Sequence, residues 1–203
     1  MTFISRRRLL LGGGAVALGM LQQTNGRAAL PGPVPPRPVL LQRALSALDR
    51  HGATIKQRDV IGIVDFSQAS RTPRFHIVDV MSGRSQSLLV AHGRGSDPDH
   101  SGWVERFSNS PGSAASSAGA YLVGSGYSGK HGRSQRLIGL DPENSNAEKR
   151  AIVIHAASYV SDDIVRTTGK LGRSQGCFAV AQTAIMEVLG QLGPGRMIYA
   201  AKI

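Results

Sequence analysis

The feature that most constrains the fold is a series of short apolar runs, each closed by turn residues, from Asp59 to the end of the chain. Residues 59–67 (DVIGIVDFS), 74–83 (RFHIVDVMSG) and 87–93 (SLLVAHG) read as consecutive strands. MSGRS, residues 81–85, supplies a hairpin turn between the second and the third. Residues 119–126 (GAYLVGSG), 135–141 (QRLIGLD) and 150–156 (RAIVIHA) add three more strands, and 193–203 (GPGRMIYAAKI) closes the chain as a turn and a strand. Many short strands with few helices predict a mainly β fold, a sandwich or an open barrel, because an apolar sheet face must be covered by another layer or by the sheet itself.

Two segments carry a helical period instead. In residues 39–52, Leu40, Leu41, Ala44, Leu45 and Leu48 share one face, Gln42, Arg43, Ser46 and Asp49 the other, and Gly52 is a stop signal. In residues 181–192, Ala181, Ala184, Ile185, Val188, Leu189 and Leu192 form an apolar face. The stretch Gly93–Gly119 shows no period. A loop of that length is expected to cover a site, with Trp103 and Phe107 as its aromatic pair.

The N-terminus reads as an address. Arg6, Arg7 and Arg8 precede an apolar run from Leu9 to Leu21, and small residues follow at Ala28 and Ala29. That is the order of an export signal, and the run is shorter than the roughly 20 residues a spanning helix needs. Ser5-Arg6-Arg7 followed by leucines fits a twin-arginine signal. The expected organisation is a signal over 1–28, a Pro-rich linker and amphipathic helix over 29–58, and one folded domain over 59–203. Loss of the signal leaves 20 Lys+Arg against 13 Asp+Glu, near +7. This balance suits a polyanionic wall or membrane surface. It does not suit single-stranded nucleic acid, because aromatic residues are only 5% and basic residues form no long block.

Other chemistries are disfavoured. GSGYSGKH, residues 124–131, approximates a phosphate-binding loop, but His131 stands where the magnesium-binding hydroxyl belongs. The residues after Lys130 read as a turn and strand rather than a helix whose first turn binds phosphate. The six histidines form no metal-ligand pattern, so neither a metal nor another cofactor is expected.

The single cysteine, Cys177, lies in LGRSQGCFAV, residues 171–180. In an oxidising compartment a lone thiol cannot form an internal disulfide. Its setting, Ser174-Gln175-Gly176-Cys177, is a turn whose backbone N–H groups can face a reacting carbonyl. A thiol of ordinary pKa needs a base, and His155, at the end of the apolar strand AIVIH, is the candidate. Ala156 offers only its backbone carbonyl to orient that ring.

The order of an apolar strand ending in His155, a loop, then Ser174-Gln175-Gly176-Cys177 resembles the catalytic core of the L,D-transpeptidase (YkuD-type) family. The similarity covers roughly Val60 to Ala200 and is closest to the murein L,D-transpeptidase catalytic domain branch. The resemblance implies a YkuD-like β fold with Cys177, His155, Ser174 and Gly176 at the site. It also implies a periplasmic enzyme, peptidoglycan stem peptides as donor and acceptor, a thioester intermediate, and 3→3 or 1→3 crosslinks. Two positions depart from the family: Ala179 stands where many members carry arginine, and Gln175 where many carry histidine. Arg173, Arg136, Lys130 and His131, with Tyr127, are the candidates for holding substrate carboxylates in their place. A wall hydrolase of the same fold and a wall-binding protein without activity are the alternatives. A monomer is expected.

Overall fold

The computed structural model describes residues 35–203, so the expected export signal and most of the proline-rich linker lie outside the described residues. The described chain is one nine-stranded sheet with three α-helices. The strands are β1 (Val60–Asp65), β2 (Phe75–Asp79), β3 (Ser85–Leu88), β4 (Val90–Ala91), β5 (Gly119–Gly129), β6 (Gly132–Gly139), β7 (Val153–Ala156), β8 (Phe178–Val180) and β9 (Met197–Ala201). Their order across the sheet is β3-β2-β1-β9-β5-β6-β7-β8-β4.

That order closes the sheet on itself. β3 forms one edge and β4 the other, yet only Leu89 separates them in the chain. The sheet must therefore curl until its edges meet, as in an open barrel. Arg74 joins the seam: its backbone N–H donates to Leu88 O and its fully buried guanidinium donates to Val90 O. Of the two architectures expected from the sequence, this is the barrel.

Strand alternation sorts residues to the two faces. Val64, Phe75, Ile77, Tyr121, Val123, Leu137, Ile154, Phe178 and Ile198 fill the interior. Ile61, Ile63, Val78, Ala120 and Met197 point outward and meet α1 (Pro38–Arg50), which buries Leu40, Ala44, Ala47 and Leu48 against them. Pro38 starts this helix, where its missing N–H costs nothing. Arg37 ties the start to the sheet through a bidentate ion pair with buried Asp65. The helix covers the outer face of β2, β1, β9 and β5, and leaves that of β6, β7 and β8 for other use.

Two further helices were read differently from sequence. α2 (Asp162–Thr168) falls in what reads as a loop. Its signals are local: Ser161 accepts the Ile164 N–H as N-cap, Asp162 and Asp163 occupy the first turn, and Gly169 at φ 74° ends it. α3 (Ile185–Gln191) is shorter than the apolar pattern predicts and buries Ile185 and Val188. No helix among the described residues is long and apolar enough to cross a membrane.

Candidate active site

The alternation that buries Ile154 and Phe178 places His155 and Cys177 on the opposite, outer face of β7 and β8. These strands pair in parallel, with Ile154 beside Phe178 and His155 beside Ala179. Cys177, two residues before Ala179, belongs to the same row of the outer face. On the other side Ser134 of β6 lies beside His155, and Arg136 beside Val153.

The turn before Cys177 is held by its own side chains and by the neighbouring edge. Ser174 Oγ accepts the Gly176 N–H at 3.1 Å and donates to the Cys177 carbonyl at 2.7 Å. Gly176 has φ 113°, and a Cβ there would lie 2.6 Å from Ala115 O, so the position requires glycine. The Ser174 N–H donates to His92 O, and the Arg94 N–H donates to Ser174 O. The extension of β4 thus braces the turn. The Gly176 amide is consumed inside the turn, which removes one of the N–H groups expected to face a substrate.

Cys177 is half-buried, and its thiol points at Ala151 O at 3.7 Å. Burial pushes the thiol pKa up, against the Val153 backbone N–H and the charges of Arg150 and Lys130, which lower it. His155 is buried, and its Nδ1 lies 2.8 Å from Ala156 O. A carbonyl only accepts, so Nδ1 carries the hydrogen and Nε2 is the basic nitrogen. Burial lowers the His155 pKa; the Ala156 bond opposes this, and the charges of His131 and Lys130 lower it further. Raised thiol and lowered imidazole together favour a neutral pair at rest over a thiolate–imidazolium pair.

Both side chains line one cleft of about 660 Å³. Lys130, His131, Tyr127 and Arg173 line it too, as do Arg94, Lys149 and Arg150, which the sequence reading did not single out. No aspartate or glutamate among the described residues lines it. The cations differ in what they are free to do. Arg150 is engaged with Ser108 O, Ala115 O, Ser113 Oγ and Ser117 Oγ, so it anchors the long loop. Arg173 donates through Nη1 to the carbonyls of Asp97 and Pro98. Arg136 is absent from the cleft wall and stacks over the Tyr127 ring, 4.9 Å from its centroid. Lys130, Lys149 and Arg94 reach the cleft as exposed side chains.

Tyr127 faces the cleft because of a single irregularity. β5 pairs with β6 in one register at Leu122 and Val123 and in a register one residue longer from Gly126 onward. This bulge reverses the alternation, so Tyr127, which would otherwise follow Val123 into the barrel, turns outward beside Ser134. The false phosphate-binding stretch is this strand and its tip.

The long loop does not behave as a free cover. Val104 is fully buried, Phe107 lies 5.8 Å from Phe66 in the core, and Trp103 stands outside the cleft wall. Only Arg94, Pro111, Gly112 and Ala114 of this loop line the cleft. The expected aromatic pair over the site is not formed, because Phe107 gains more by filling the barrel end than by facing solvent. Among the described residues no group of His, Cys, Asp and Glu side chains is placed to hold a metal ion.

Among solved structures, the chain is similar to an L,D-transpeptidase from Mycobacterium smegmatis, at 12% identity and a TM-score of 0.43, over 70% of this chain and 58% of that one. It is similar to L,D-transpeptidase 3 from Mycobacterium tuberculosis in complex with a faropenem-derived adduct, at 12% identity and 0.45, over 71% and 60%. It is also similar to Bd1075 of Bdellovibrio bacteriovorus, at 13% identity and 0.44, over 70% and 47%. The chain therefore spans less than two thirds of the length of each of these structures. No curated protein sequence matches it. The family model of the L,D-transpeptidase catalytic domain matches residues 37–201, and the chain belongs to that family.

Proposed function

We propose that this protein is an exported L,D-transpeptidase that joins peptidoglycan stem peptides through a thioester on Cys177. The observation that carries the reading is the shared cleft. It holds a half-buried thiol, an imidazole whose Nδ1 is committed to Ala156 O, and a cationic wall without a carboxylate. Such a wall suits a stem peptide, which is rich in carboxylates.

In this mechanism His155 Nε2 takes the Cys177 proton as sulfur attacks a stem-peptide carbonyl. The resulting oxyanion is met by a backbone N–H of the turn other than that of Gly176. The imidazolium then gives its proton to the departing amine, and the thioester remains. An amine of a second stem attacks the thioester and returns a proton through His155, and the thiol is regenerated. A raised thiol and a lowered imidazole favour a neutral resting pair, so in this reading the proton moves as the bond forms rather than in advance. Lys130, Lys149, Arg94 and Arg173 are assigned to the stem carboxylates. Arg136 acts only by supporting Tyr127. Export to the periplasm by the twin-arginine route belongs to this reading.

The test is incubation of purified protein with sacculi and with disaccharide-tetrapeptide, followed by mass spectrometry of the muropeptides. Crosslinked dimers are expected, and their masses distinguish 3→3 from 1→3 links and crosslinking from hydrolysis. Cys177→Ala should remain folded and give neither dimer nor acyl-enzyme. Crosslinking by Cys177→Ala protein would overturn the proposal.

A further inference from the structure

The β5–β6 hairpin carries more than a turn. Gly129 pairs with Gly132, so Lys130 and His131 form a two-residue tip, and Gly132 adopts φ 73° to make it. The tip projects over the outer face of β7 and sets the His131 ring on the ring of His155. Their centroids are 4.3 Å apart and their planes 25° apart. Among the described residues, His131 is the aromatic partner of the His155 ring. The other restraint on the ring is the Nδ1 contact with Ala156 O. One contact fixes which nitrogen is basic; the other fixes the plane in which it lies.

We infer that His131 is a positioning residue for the reaction, holding the His155 imidazole in its working plane from the hairpin tip. The inference rests on His155 being the base. Three observations support it beyond the stack. His131 makes this contact from an exposed tip, where an unrestrained ring would be free to turn to water. The tip is fixed at its root, since Tyr127 lies under Arg136 and against Gly129. The charges of His131 and Lys130 also disfavour the imidazolium, so the tip helps to keep the base unprotonated. The titratable and charged groups facing His155 across the cleft are Lys130 and His131 from the tip, Tyr127 from β5, Arg94 from the long loop, Lys149 and Arg150 before β7, Tyr159 after it, and Arg173 and Cys177 from the turn. None is a carboxylate; what opposes the tip is the Nδ1 bond to Ala156 O.

The experiment compares wild type, His131→Ala and His131→Phe by single-turnover acylation of Cys177, read by intact mass across pH. In parallel, the His155 ring is titrated by NMR in Cys177→Ala protein. His131→Ala should lower the acylation rate about tenfold with little change in KM, a fraction of the 10²- to 10⁴-fold supplied by a base. His131→Phe keeps a ring on His155 without a charge. It should recover most of the rate, and both the acid limb of the profile and the NMR titration of His155 should move to higher pH. A rise in KM alone, equal losses in both variants, or unchanged rates and titrations would each overturn the inference. A His155→Gln control separates this from failure of the underlying reading: if that variant still acylates, His155 is not the base.

Discussion

Gly176 shows how much chemistry one backbone angle can hold. Its φ of 113° lets Ser174 Oγ reach both the Gly176 N–H and the Cys177 carbonyl, and it brings the turn within van der Waals reach of Ala115. Alanine there must either adopt a conformation that L residues avoid or move the Ala115 carbonyl, which Arg150 holds. Gly176→Ala should therefore displace the thiol and reduce acylation about a hundredfold, because misplacement of a reacting atom by about 1 Å has that effect. Intact-mass detection of the acyl-enzyme measures it. Ser-x-Gly-Cys is legible in the sequence because all its parts lie within four residues. The Ala156 carbonyl as the orienting group for His155 was legible too, since the side chains there have nothing to offer.

Among the elements, the long Gly93–Gly119 loop departs most from the sequence reading. Its length and lack of period suggest a cover, yet it is pinned by Arg150, by Lys202 donating to Val104 O, and by Asn109 bridging to Pro142, Ser145 and Asn146. Asp97 gathers the Ser101 and Gly102 N–H groups within it. Arg150→Met should cost about 2 kcal/mol, as several bonds to a charged group are lost. It should also raise hydrogen exchange at residues 108–117 while α1 stays protected. Deleting Ser101–Ser110 removes buried Val104 and should lower thermal stability as well as turnover. Intact stability with lost turnover would instead restore the cover reading.

At the level of the whole molecule, the barrel seam and the site share one buried network. Arg74, at the seam, lies 2.7 Å from His92 Nδ1, and His92 Nε2 lies 3.1 Å from Asp97. Arg74 is cationic and can only donate, so Nδ1 accepts and Nε2 carries the hydrogen given to Asp97. Burial, reinforced by the Arg74 charge, pushes His92 down to about 4. Between about 6.5 and 4 the unfolded chain binds a proton that the folded chain refuses, so stability falls as pH is lowered through that window. The loss approaches about 3 kcal/mol. Urea unfolding at pH 7 and pH 5 should show it. His92→Asn should be weaker at pH 7 with a shallower slope between the two; an unchanged slope would place the titration elsewhere. Since His92 O accepts the Ser174 N–H, acid should loosen the Ser174–Cys177 turn along with the seam.

The sequence by itself determined where most of the strands fall and offered His155 and Cys177 as a candidate pair, but it read β3 and β4 as one strand and missed β8. Alternation and turn residues are local signals, and so are the apolar run that His155 ends and the turn and apolar run on either side of Cys177. Tertiary structure alone decided the closure of the sheet, because the two edges that flank Leu89 meet only through pairing with β2 and β8, neither of which is visible from residues 85–91. It also decided the direction of Tyr127, since the bulge after Val123 exists only relative to β6. The cationic wall follows the same rule. Arg94 and the adjacent Lys149 and Arg150 lie in two segments far apart in the chain, and so few charges carry no pattern until folding brings those segments to one wall.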